Sequence, residues 1–140
     1  MRRTLLGTLL VLGVIDVATA QGDSQLGKFE FMRSCASCHG TDGKGQGPVA
    51  KTLKQQPADL TKLSETNKGV FPIARVFGVI DGRVQVIVHG SRQMPVWGDV
   101  YTQSLSERAP RDFMSKELGD ILVRVRILTL VEYLSSIQSK

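Results

Sequence analysis

Arg33-Ser34-Cys35-Ala36-Ser37-Cys38-His39-Gly40 contains the pattern CxxCH, the spacing at which a pair of cysteines takes up a c-type haem. Two thiols three positions apart lie on one helical turn, where each can form a thioether to a porphyrin vinyl group. The adjacent imidazole can then reach the iron, which makes His39 the expected proximal ligand. Three other readings use the same residues. A thioredoxin-like dithiol wants a βαβ context that this chain does not show, and it leaves His39 without a task. A zinc site drawing on Cys35, Cys38, His39 and His89 lacks a second ligand pair. A chance cluster in a core helix must explain why the only two cysteines and one of the two histidines of the chain fall so close together.

Outward from this stretch, the N-terminal side divides in two. Residues 1–20 open with Arg2 and Arg3, continue through an apolar run from Leu5 to Ile15, and end in the small residues Ala18-Thr19-Ala20. That is the layout of a secretory signal peptide cut before Gln21, which places the mature protein in the periplasm. The alternative is an uncleaved anchor, but the run is too short to span about 30 Å of hydrocarbon and Asp16 interrupts it. No other stretch is apolar enough to span a bilayer. From Gln21 to Lys140 the chain suits a single domain. Both cysteines being committed to the haem, the covalent cofactor takes the stapling role that disulfides play in small exported domains.

A first helix is predicted from an Asp23 or Ser24 cap to about Cys38. Leu26, Phe29, Met32 and Arg33 alternate around it with Gly27 and Phe31, so two faces are apolar, as expected for a helix pinned between the haem and another helix. Gly27 and Phe31 lie on one face, and the missing side chain at Gly27 predicts a close helix crossing.

On the C-terminal side of the motif, Gly40 to Pro48 is too glycine-rich for regular structure and reads as a loop turning around a haem edge. It lacks the GK[ST] ending and preceding strand of a phosphate-binding loop. The Pro48 carbonyl is a candidate acceptor for the His39 ring N–H, the contact that orients a ligating imidazole. Val49 to Asn67 suggests short turns around a buried Leu60. Pro72 opens a helix with Ile73, Val76, Phe77 and Ile80 on its apolar side, ending at Asp81-Gly82. Val84 to Val88 fits a strand or a helix equally.

The stretch from His89 to Gly98 bears on the other face of the haem. A thioether is soft, neutral and unable to titrate, so it favours reduced iron, and Met94 is the predicted distal ligand. Pro95 restricts Met94 to extended backbone. His89 is the competing ligand, and a core-filling Met94 is the plainer alternative. Trp97 is expected to lie beside the haem with its indole N–H available to a propionate, or to be a core residue. Residues 99–116 read as a polar surface loop. A last helix is predicted from Ser115 or Lys116 to about Gln138, with a broad apolar face and Arg124, Arg126 and Glu132 on the outside.

The formal charge of the whole chain is +5, and removing Arg2, Arg3 and Asp16 with the signal segment leaves +4. The basic residues are scattered, which suits either a solvated surface or a positive ring that steers acidic redox partners. A basic segment interleaved with aromatics is absent, so nucleic-acid binding is not expected.

Taken together, Gly27 and Phe31 ahead of CxxCHG, the glycine loop ending at Gly47-Pro48, Met94-Pro95, and Leu130 with Tyr133 resemble the class I c-type cytochromes. That resemblance implies an all-α cytochrome c fold whose N- and C-terminal helices cross around one covalently bound haem. It implies thioethers at Cys35 and Cys38, iron ligands His39 and Met94, and the proline role at Pro48. The expected function is one-electron transfer by a single haem c between periplasmic or membrane-bound redox proteins, whether dehydrogenase, oxidase or reductase, with no catalytic residue. The expected state is a monomer or a loosely bound subunit without a membrane span. The alternatives are an electron-entry subunit of a larger complex and a haem enzyme with an open distal site.

Overall fold

A computed structural model describes residues 21–84, 94–108 and 115–139. Five α-helices carry it, and no strand occurs among the described residues: α1 (Gln21–Ser34), α2 (Ala36–His39), α3 (Ile73–Asp81), α4 (Trp97–Arg108) and α5 (Lys116–Ser136). Short 3₁₀ turns at Ala50–Thr52, Leu60–Lys62 and Glu65–Asn67 shape the connection between α2 and α3. The proposed signal segment, the stretch from 85 to 93 with His89, and Met114 lie outside the described residues.

The architecture rests on the crossing of α1 over α5. A Cβ on Gly27 would run into the Thr129 carbonyl oxygen and come within 2.8 Å of the Tyr133 Cβ, so only glycine lets the two backbones approach this closely. Beside it the Phe31 and Tyr133 rings meet with centroids 5.3 Å apart. Phe31, Ile127 and Leu130 are fully buried there, and Val76 and Ile80 of α3 and Tyr101 of α4 complete the core.

Local signals account for most helix ends. The Ser115 hydroxyl accepts the Leu118 N–H at 3.2 Å and caps α5. Gly82, at φ 99°, closes α3 by donating its N–H to the Gly78 carbonyl at 3.0 Å, while Pro72 stands just ahead of Ile73. Helix α1 is already formed at Gln21, earlier than an Asp23 or Ser24 cap predicts, and it stops at Ser34. Cys35 forms a turn at φ −116° and ψ −34°, and α2 begins directly after it.

Two expectations are corrected here. Residues 99–116 are not a loop throughout, because Trp97–Arg108 form α4. That helix buries Gly98 and Tyr101 and packs Trp97 and Leu105 half-buried on the same stripe, but its other residues apart from Val100 are polar, so its apolar signal is weak and it owes its place to its packing. Arg126 is not on the outside of α5: its side chain turns in toward α1 and α4. Among the described residues, the outer faces of α1 and α5 carry exposed apolar side chains. Leu26, Phe29 and Met32 on α1 are exposed, as are Leu118, Ile121, Leu122, Val125 and Leu128, which form one stripe along α5.

Candidate haem site

The CxxCH turn is built by continuous backbone hydrogen bonding. Cys35 donates to the Phe31 carbonyl at 2.8 Å, and His39 donates to the Cys35 carbonyl at 2.9 Å. The two cysteines therefore stand on one turn, both half-buried and with no disulfide between them. Burial, the nearby Glu30 carboxylate and Cys38 push the Cys35 thiol up to about 12. A thiol held protonated in this way is a poor thiolate nucleophile, which speaks against the redox-dithiol reading. The zinc reading draws on His89, which lies outside the described residues; among those described, no group of three or more His, Cys, Asp or Glu side chains converges.

The glycine loop folds back on this turn. Gly45 donates to the His39 carbonyl at 2.7 Å, Gly47 to the Cys38 carbonyl at 3.0 Å, and Val49 to the Ser37 carbonyl at 3.0 Å. A Cβ at Gly47 would collide with the Ser37 carbonyl and lie 2.6 Å from that of Ala36, so the loop closes over α2 only without a side chain there. At Gly45 the backbone has φ +78° and a Cβ would strike the Pro57 carbonyl.

This second contact brings residues 57–60 against the haem motif, with the Leu60 N–H donating to the Gly43 carbonyl at 2.7 Å. The His39 Nδ1 stands 3.0 Å from the Ala58 carbonyl, so the ring donates there with Nδ1 protonated. Pro48, the predicted acceptor, lies on the exposed rim of the loop, and Ala58 takes that position in its place. Nothing in the local sequence identifies Ala58, because 19 residues separate the two partners. Burial lowers the His39 pKa, partly offset by the Ala58 hydrogen bond, so the imidazole stays neutral at physiological pH. A neutral ring with Nδ1 engaged leaves Nε2 with a free lone pair, the nitrogen that could ligate a metal.

Met94 and Trp97 are half-buried and pack against the same core as Cys35, together with Leu60, Phe71 and Phe77. The Trp97 ring lies against Tyr101, with centroids 5.6 Å apart. These residues fit a haem: two unpaired thiols on one turn, an oriented neutral imidazole, a thioether on a separate segment, and half-buried apolar side chains packed on the same core.

One group escaped the sequence reading altogether. Glu30, on α1 between Gly27 and the haem motif, is only 6% exposed. Its carboxylate accepts hydrogen bonds from Ser34, Tyr101 and Arg126. Burial alone raises the Glu30 pKa, but the bonds from Arg126, Ser34 and Tyr101 together outweigh it and hold the carboxyl below its ordinary value. The available signal was a lone acid on the face of α1 that also carries Gly27 and Phe31, where an unpaired charge would be costly.

A family model described as cytochrome C oxidase, cbb3-type, subunit III, matches residues 23–108, more than half of the 140-residue chain. No curated protein and no solved structure matches it.

Proposed function

Because the chain belongs to the family described as cytochrome C oxidase, cbb3-type, subunit III, a family of c-type cytochrome domains, we propose that it is a one-electron carrier with a single haem c. In it Cys35 and Cys38 hold the porphyrin by thioethers, and His39 and Met94 ligate the iron. When bound, the haem supplies reversible one-electron chemistry. The chain supplies the frame. The Ala58 carbonyl orients the His39 ring, the CxxCH turn holds the two sulfurs, and the core around Met94 and Trp97 excludes water from the metal. The single observation that carries this is the CxxCH turn itself, with both thiols unpaired and the His39 Nδ1 engaged.

The same reading places the mature protein in the periplasm after cleavage before Gln21, with redox proteins as donor and acceptor. Among the described residues no helix is long and apolar enough to cross a membrane. A second reading, a fixed electron-entry subunit of an oxidase or dehydrogenase complex, is favoured by the exposed apolar stripe on α5. Contiguous apolar surface of that kind marks protein contacts. Retention of a partner through a high-salt wash would support the subunit, since apolar contacts survive screening.

Replacing both Cys35 and Cys38 by serine should abolish covalent haem, read as loss of haem stain after denaturing electrophoresis of the exported protein. Stain that persists in the double variant would overturn the attachment. Met94→Ala should keep the stain but lower the reduction potential, and an unchanged potential would remove Met94 from the iron.

A further inference from the structure

We infer that Glu30, Tyr101 and Arg126 form a buried clamp that positions the Met94 segment, so that side chains remote from the iron set how firmly the thioether is held. This rests on the reading of Met94 as the distal ligand.

The clamp joins three helices. Glu30 Oε1 accepts from the Ser34 hydroxyl at 2.6 Å, from the Tyr101 hydroxyl at 2.9 Å and from Arg126 Nη2 at 2.9 Å. Its Oε2 stands 2.9 Å from Arg126 Nε, making the guanidinium bidentate. The same guanidinium lies 3.9 Å from the centroid of the Tyr101 ring. Tyr101 is thus held at its hydroxyl by the carboxylate and over its face by the cation.

From Tyr101 the path to Met94 is short and stiff. Tyr101 packs on Trp97, one turn earlier in α4, and the Val100 N–H donates to the Val96 carbonyl at 3.1 Å, so residues 96–101 form one hydrogen-bonded unit. Pro95 then links Met94 to that unit with restricted backbone freedom on both sides. Where α4 begins therefore decides where the Met94 sulfur can go. Tyr101 is the one large side chain of α4 that is fully buried, with Trp97 and Leu105 packed half-buried on either side of it along the same stripe.

Stability alone gives a weak reason for such a group, because a buried ion pair contributes little beyond what apolar residues of similar volume would. Its distinctive contribution is geometric. A carboxylate already engaged by Ser34 and a bidentate arginine leaves one placement for the Tyr101 hydroxyl.

The test uses the haem-loaded ferric protein titrated with imidazole, which competes with the thioether for the iron. Two variants are compared with the parent: Tyr101→Phe, which deletes only the hydroxyl, and the pair Glu30→Leu with Arg126→Met, which replaces the ions by apolar groups. Each should bind imidazole more tightly, by about fivefold for one lost net hydrogen bond, with a weaker sulfur-to-iron absorption band. In a Met94→Ala background the same substitutions should change imidazole affinity by less than about twofold, on the same scale. A general loosening of the fold would raise affinity in both backgrounds and would overturn the clamp. If Met94→Ala raises imidazole affinity while Tyr101→Phe and the apolar pair leave it unchanged, the clamp falls and the ligand assignment stands. If Met94→Ala itself changes nothing, the ligand assignment fails and takes the clamp with it.

Discussion

The two sides of the proposed haem site, His39 and Met94, are held by different means. Around His39 the chain is stapled by backbone hydrogen bonds, with Gly45, Gly47 and Val49 all donating to carbonyls of α2, and glycines where a side chain would collide. Around Met94 the placement depends on side chains of distant helices, through Tyr101, Glu30 and Arg126. Backbone groups are present at every residue, so the proximal side needs little more than the absence of Cβ atoms. The distal side needs particular side chains to arrive from three helices together.

Gly27→Ala should erase the contrast by striking both sides at once. Its new Cβ meets backbone of α5, which has no freedom to yield, so a loss of about 3 kcal/mol is expected in urea denaturation of the holoprotein. A loss under about 1 kcal/mol would mean the crossing can open without cost to the core.

Glu30→Leu should isolate the distal side, leaving the Arg126 charge buried and unpaired at a cost of about 2–3 kcal/mol near neutral pH, discounted for the partial exposure of Arg126. The pH dependence has a definite sign. Because the Glu30 carboxyl is held below its unfolded value of about 4.3, its contribution is full above that pH and is lost as pH falls through the folded value. The stability gap between parent and variant should therefore narrow in acid, and a gap constant across that range would remove the carboxylate from the account.

Gly45→Ala acts on the proximal side alone. The φ of +78° and the collision with the Pro57 carbonyl predict a loss of about 2 kcal/mol, with the Ala58 carbonyl displaced from His39. Altered imidazole proton resonances of His39 with an intact Met94 band would sharpen the separation of the two sides. A disturbed Met94 band would show that the sides are coupled through the loop.

Legibility followed the same division. The CxxCH turn, the glycine loop, the Ser115 cap and the Gly82 stop are each set by residues within a few positions of one another, and Gly27 with Phe31 on one face announced a close helix crossing. Helix α4 was missed because its apolar stripe is thin, three residues at Trp97, Tyr101 and Leu105 set among polar ones. Pro48 was named as the His39 acceptor because it ends the glycine loop, whereas the Ala58 carbonyl arrives by way of Gly45 closing on Pro57.

What the amino-acid order alone determined, then, is the chemistry and the scaffold around it: thiols, imidazole, loop and the two long helices, all encoded by local spacing and by where side chains are missing. Tertiary structure alone decided which carbonyl orients His39, that Arg126 turns inward, and that Glu30 reaches Tyr101. Those contacts join residues up to 96 positions apart, and a partner at that separation leaves no periodic trace in the chain.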